Sequence, residues 1–197
     1  EKAGHQCVLL EKYTEKSQLL EAVADAEAII IRSDKIDAEV IAAAPQLKIV
    51  VRAGAGYDNV DLQAATEKGV VVMNTPGQNS NAVAELVVGM LLFAIRNQFD
   101  GTSGTELKGK TLGVMAFGAV ARCLAVIAQG FGMKVMGYSP TGNSKKIVDA
   151  GYEACTTPQE LFQKCDIVSV HIPSTPETKK SIGYDLIASM KKKAILV

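Results

Sequence analysis

Short apolar runs, too brief for helices, alternate with segments of helical period along the whole 197-residue chain. The runs Gln6–Leu10, Ala28–Arg32, Lys48–Arg52, Val70–Met73, Thr111–Met115, Lys134–Tyr138, Ile167–His171 and Ala194–Val197 read as strands. Between them, Ser17–Ala24, Ala38–Ala44, Asp61–Lys68, Asn81–Asn97, Ala119–Phe131, Ser144–Ala150, Pro158–Lys164 and Gly183–Met190 read as helices. Parallel strands need a crossover of about a dozen residues or more, and a helix is the usual one. The alternation therefore predicts an α/β protein with mainly parallel sheets covered by helices.

A polar stretch containing Pro76 and Gly77, from Asn74 to Ser80, interrupts the pattern. It predicts two domains, 1–76 and 77–197, with Ser80 or Asn81 capping the helix that follows. The first residues read like the end of a helix, and Ala194–Val197 is a strand with no turn after it. Both domains are thus expected to be incomplete. The helix Asn81–Asn97 is apolar almost all round, so it must be covered either inside its own domain or by a partner subunit.

Composition narrows the functions. Lys plus Arg equals Asp plus Glu, 21 against 21, so no net field recruits nucleic acid or an anionic membrane. Trp is absent and aromatics make up 5% of the chain, against an aromatic-lined sugar or nucleic-acid surface. The most apolar stretch, Ala82 to Ile95, is interrupted by Glu85 and is too short to span a bilayer. The first residues lack the apolar core of a signal peptide, so a soluble, cytoplasmic protein is expected. The cysteines at 7, 123, 155 and 165 show neither a CxxC pair nor regular spacing, the pattern of reduced thiols rather than of a disulfide framework. No metal site is expected.

The chemistry concentrates where Thr111–Met115 runs into Ala116-Phe117-Gly118-Ala119-Val120-Ala121 and then a helix. This is the strand, tight turn and helix in which a dinucleotide fingerprint has meaning. Unpaired N–H groups and the helix dipole favour a pyrophosphate there. Gly118 occupies the position where a side chain would block the phosphates, and Ala121 the packing position. Ala116 stands where the turn usually has glycine, which strains it by about 1 kcal/mol if its φ is positive. The next strand ends at Ser139, where an NAD site usually carries Asp or Glu for the ribose hydroxyls. Lacking that carboxylate, Ser139, Thr141, Lys145 and Lys146 could admit the 2′-phosphate of NADP, or they form an ordinary solvated loop.

Several segments together resemble the D-isomer-specific 2-hydroxyacid dehydrogenase family. These are Val51-Arg52-Ala53-Gly54-Ala55-Gly56-Tyr57-Asp58-Asn59-Val60-Asp61, Val71-Val72-Met73-Asn74-Thr75-Pro76-Gly77-Gln78-Asn79-Ser80 and Ala82–Leu86. Gly109–Gly113, Cys165–Pro173, and Glu177-Thr178 with Ile182 complete the set, in the family's order and over nearly the whole chain. The resemblance implies a Rossmann-type nucleotide-binding domain and a flavodoxin-like substrate domain. Arg32-Ser33 and the Arg-Ala-Gly-x-Gly form resemble the phosphoglycerate dehydrogenases within the family. It implies oxidation of 3-phosphoglycerate to 3-phosphohydroxypyruvate, a step of serine biosynthesis.

On this resemblance, Arg32, Arg52, Ala53, Gly54 and Asn79 would hold the small anionic substrate. Two arginines suit its carboxylate and phosphate, and the glycines at 54 and 56 would let backbone N–H groups reach a carboxylate. Val83, Phe117, Gly118, Ala119, Val120, Ser139, His171, Ile172, Pro173 and Thr178 would line the site for NAD, or for NADP given Ser139. His171 would sit near the adenosine end and is not the proton carrier. The family's catalytic arginine, glutamate and histidine would follow Val197, so no catalytic residue is expected within this chain, which alone should not turn over. A homodimer through the 81–97 helix is implied as well. A nonenzymatic NAD(H)-binding corepressor on the same fold is the alternative, against which Arg32 and Arg52 argue.

Overall fold

The computed structural model describes residues 4–173 and 175–197. The chain divides into two compact units, Glu1–Asn79 and Ser80–Val197. The first holds α1 (Lys16–Val23), β1 (Ala28–Ile31), α2 (Ala38–Ala43), β2 (Ile49–Arg52), α3 (Leu62–Glu67) and β3 (Val71–Asn74). The second holds α4 (Ser80–Ile95), β4 (Thr111–Met115), α5 (Ala119–Gly130), β5 (Lys134–Tyr138), α6 (Lys145–Asp149), β6 (Glu153–Ala154), α7 (Pro158–Lys164), β7 (Ile167–Val170), α8 (Tyr184–Ala188) and β8 (Ile195–Leu196).

In the first unit the three strands pair in parallel in the order β1-β2-β3, with Ile31 opposite Arg52 and Arg52 opposite Asn74. Period-2 alternation sends Ile29, Ile31 and Val50 into a core with Leu19, Val23, Val40 and Ile41 from the helices. The opposite face carries Ile30, Val71 and Met73, and Ile30 is 76% exposed. Helix ends are satisfied locally. Asp37 accepts the Val40 N–H and Asp61 accepts the Ala64 N–H, two side-chain N-caps. The Lys68 ammonium donates to the carbonyls of Ile41, Ala42 and Ala44, where the carbonyls ending α2 lack helical partners.

The expected strand Gln6–Leu10 does not form. These residues lie outside every strand, with Val8 76% and Leu9 81% exposed. A short apolar run becomes a strand only when a ladder receives it, so the pattern alone overstated this segment.

The second unit is a five-stranded parallel sheet of order β6-β5-β4-β7-β8. Counted from β4, the order is 3-2-1-4-5, that of a doubly wound nucleotide-binding sheet. Both faces are covered. Leu112, Val114, Val135 and Ile167 pack with α4 and α5, while Met115, Met136 and Val168 pack with α7 and α8. Burying each such side chain contributes roughly 1.5–3 kcal/mol. Burial also raises the thiols of Cys155 to about 11 and Cys165 to about 12, so both stay neutral within the lower core.

Three features of this unit differ from the sequence expectation. Strand β6 is a Glu-Ala pair with no apolar run to announce it. Helix α4 stops at Ile95, and Asn97, Gln98 and Phe99 all take left-handed torsions near +55° (φ 51°, 57° and 59°). That turn sets Phe99 edge-on to Phe93 with ring centroids 5.7 Å apart. Asn81 does not cap α4; its amide donates to Glu85 one turn on.

Gly113, in the middle of β4, marks a close approach of the sheet to α7 and the cysteine that ends it. A Cβ there would lie 2.7 Å from Cys165 Sγ and 3.0 Å from Leu161 Cγ. Gly113→Ala should therefore overpack this layer and lower stability by about 1–3 kcal/mol, read as a fall in the urea midpoint with unchanged slope. An unchanged midpoint would show that the layer relaxes freely.

Candidate cofactor and anion sites

Strand order reverses between β4 and β7, and ligands of open α/β sheets bind beyond the strand ends at such a switch point. The main chain joins these ends directly, because the His171 N–H donates to the Met115 carbonyl at 2.9 Å. On the other side of β4, the Ala116 N–H donates to the Tyr138 carbonyl, also at 2.9 Å. The turn between β4 and α5 is thus held from both neighbouring strands.

Ala116 has φ +69°, so the methyl does sit in a left-handed turn, at a cost of about 1 kcal/mol. Gly118 is different. Its torsions are extended (φ −82°, ψ −165°), and a Cβ would meet nothing within 4 Å. Nothing in the chain's own packing demands glycine there. Gly118 is exposed and begins α5 without a side-chain cap, so the first amides of a twelve-residue helix have no side-chain acceptor. This arrangement suits a pyrophosphate. Ala119 and Val120 follow, half-buried. Phe117 turns its ring away into the core, edge-on to Tyr152 at 5.7 Å.

The other expected cofactor residues fall at strand ends of the same unit, apart from Val83, half-buried in the first turns of α4. Ser139 follows β5 but is buried, and its hydroxyl accepts the Asn143 N–H at 3.2 Å beside Thr141 Oγ1. It closes its own turn instead of facing outward. Lys145 is paired with Asp149, both exposed. His171, Ile172 and Pro173 follow β7. The His171 ring contacts Ser169 Oγ through Nε2 at 2.9 Å, and burial lowers its pKa below the usual 6.5. Ser169 was not singled out in the sequence. A buried serine two residues before a histidine, on the same face of one strand, is the signal that could have found it. Thr178 exchanges hydrogen bonds with Thr175 and donates to the Pro173 carbonyl, bracing this loop.

In the first unit, Arg52 ends β2 and Arg32 follows β1 by one residue beyond the Ile31–Arg52 pair. Two cationic residues therefore stand at adjacent strand ends. Arg32 and Asn79 are exposed, whereas Arg52 is half-buried. Two of the backbone amides at this loop are already engaged. Ala53 N–H donates to the Ile31 carbonyl at 2.7 Å, and Gly54 N–H to the Arg52 carbonyl at 2.8 Å. The Arg52 side chain is folded against Gly54. Among the described residues no cluster of His, Cys, Asp and Glu is placed to hold a metal, and no helix is long and apolar enough to cross a membrane.

Comparison with known proteins decides the family. Residues 1–194 match "D-isomer specific 2-hydroxyacid dehydrogenase, catalytic domain". The chain belongs to that family. It is 40% identical to the D-3-phosphoglycerate dehydrogenase of Methanocaldococcus jannaschii, over 92% of this chain and 37% of the relative. Among solved structures it resembles NAD+-bound 3-phosphoglycerate dehydrogenase of Entamoeba histolytica, with 45% identity and TM-score 0.89. That match covers 99% of this chain and 62% of the other. The D-lactate dehydrogenase of Escherichia coli shares 27% identity with TM-score 0.78, over 91% and 61%. The chain thus spans between about a third and two thirds of these relatives.

Because its pKa is depressed in the fold, His171 takes up a proton more readily when unfolded. The fold loses stability as pH falls through the unfolded value of 6.5, not above it. An NMR titration should place the midpoint of the His171 ring below 6.5; a midpoint at or above that value would contradict the burial account.

Proposed function

We propose that this chain forms the dinucleotide-binding unit and part of the substrate unit of an NAD-dependent 2-hydroxyacid dehydrogenase acting on 3-phosphoglycerate. The observation that carries the reading is the turn at the switch point. Gly118 is glycine where the chain itself has no use for one, and it lies at an uncapped helix start just beyond β4, the strand at which the winding reverses. Family membership and the NAD+ in the Entamoeba structure support the same cofactor.

In this reading the amides at the start of α5 hold the pyrophosphate, and the loop after β7, from His171 to Pro173, borders the adenosine end. Bound NAD supplies the hydride acceptor for oxidation at C2 of the hydroxyacid. Arg32 and Arg52 divide the work on the substrate's two anionic groups, with Asn79 as a further polar contact. We assign no proton transfer to residues 1–197. His171 stays neutral and is held by Ser169, and its part is to shape the cofactor wall. Ser139 leaves no carboxylate at the end of β5, so the 2′-phosphate of NADP is tolerated rather than repelled.

The same family reading puts a homodimer, in the reducing cytoplasm, on α4. Leu86, Met90 and Phe93 lie on one helical face with exposures of 63%, 50% and 46%, continued by Phe99.

The decisive assay uses the full-length protein with 3-phosphoglycerate and, in parallel, NAD and NADP. We expect oxidation with NAD and a discrimination against NADP below about a hundredfold. A strong preference for a different 2-hydroxyacid would refute the substrate, and NAD(H) binding without any turnover would favour the corepressor alternative. Sedimentation should show a dimer that Met90→Glu dissociates; a wild-type monomer would remove α4 from consideration.

A further inference from the structure

We infer that Gly54 is a positioning residue whose missing side chain seats the guanidinium of Arg52 as an anion subsite. The proposal rests on the dehydrogenase reading above and goes beyond it in saying why this position is glycine. Three ordinary reasons for glycine can be separated. A left-handed torsion is one, and Gly54 is absent from the positive-φ glycines. Crowding by backbone is another, as at Gly104, where a Cβ would lie 2.2 Å from the Ile95 carbonyl oxygen. Close approach of a ligand to a backbone amide is the third, and the Gly54 N–H is already bonded to the Arg52 carbonyl.

What remains is the side chain two residues earlier. A Cβ at Gly54 would lie 1.2 Å from Arg52 Nη1, 2.3 Å from Cζ and 3.1 Å from Nε, and those are its three nearest atoms. The guanidinium occupies the space an alanine methyl would need. The loop beneath it is fixed independently. The Thr75 N–H donates to the Gly54 carbonyl at 2.9 Å, and the Asn74 amide donates to the Ala55 carbonyl at 2.7 Å. A methyl at 54 therefore moves the flexible end of Arg52 and leaves the backbone in place.

Seating the guanidinium here has a chemical consequence. Arg52 Nε is buried without a hydrogen-bond partner among the described residues, which is costly for a charged donor. A carboxylate or phosphate oxygen would satisfy it, in the paired geometry that a planar guanidinium presents and a lysine does not. With its own amide engaged, Gly54 contributes to anion affinity at this loop by way of Arg52.

That dependence is testable in the full-length protein as a cycle of Gly54→Ala, Arg52→Ala and the double variant. With saturating NAD, Gly54→Ala should raise the KM for 3-phosphoglycerate by about tenfold, with kcat changed far less and NADH affinity, read by fluorescence titration, unchanged. In the Arg52→Ala background the same change should add nothing further. An equal loss in both backgrounds would overturn the proposal, because Gly54 would then act through the backbone. A second arm needs no substrate. Phenylglyoxal modification of Arg52, followed by peptide mass spectrometry, should be faster in Gly54→Ala, where the guanidinium is pushed from its seat. An unchanged rate overturns the proposal. If the wild type fails to oxidise 3-phosphoglycerate, the substrate reading falls and this arm alone decides the role of Gly54.

Discussion

Strand β4 is the member on which the second unit depends, because it alone is hydrogen-bonded to strands on both sides of the point where the winding reverses. Its start is held by Asp166, whose carboxylate accepts the Thr111 N–H at 2.8 Å and the Lys191 ammonium at 2.9 Å. Burial by itself would raise the pKa of that carboxyl, yet Lys191 and the Thr111 amide bring it below its ordinary value. The centre of β4 is bare at Gly113 so that α7 can close in, and its end passes hydrogen bonds to both neighbours. A strand fixed at start, middle and end leaves little freedom for the turn that follows. That rigidity is what a pre-formed phosphate cradle needs.

The two units present their candidate anion donors in different ways. At α5 the donors are backbone amides at a helix start, and the chain's contribution is to keep side chains away. At the end of β2 the Ala53 and Gly54 amides are engaged by the chain itself, and the candidate donor is a side chain folded back over its own turn. The first solution is insensitive to side-chain identity beyond size. The second depends on one guanidinium and on the small residue beneath it. Unlike donor chemistries thus stand at the two candidate anion sites of a protein with no net charge.

Much of the architecture was legible in the sequence because both faces of the second sheet are buried. Thr111–Met115, Lys134–Tyr138 and Pro158–Lys164 have the expected bounds, since continuous apolar runs and a proline at a helix start mark them. The same logic misread Gln6–Leu10, whose pattern is that of a buried strand although its side chains are exposed. It passed over Glu153–Ala154, which pairs through backbone alone. At the candidate sites, the positions of Gly118, Arg32 and Arg52 were readable from motif and spacing. The inward turn of Ser139, the Ser169–His171 contact and the seat of Arg52 on Gly54 were not. Each is settled by where a side chain folds, and residue spacing alone does not specify that.

The strained torsion at Ala116 separates two properties that are often assumed to move together. The turn is gripped by the hydrogen bond that Ala116 N–H donates to the Tyr138 carbonyl on one side and by the β4–β7 ladder on the other. If a bound nucleotide leaves that geometry in place, the strain is the same in the free and liganded protein and cancels from the binding equilibrium. It survives only in the comparison with the unfolded chain. A glycine at this position would therefore make the protein harder to unfold without making the cofactor bind more tightly. The penalty of the alanine falls on persistence of the fold, and leaves recognition untouched.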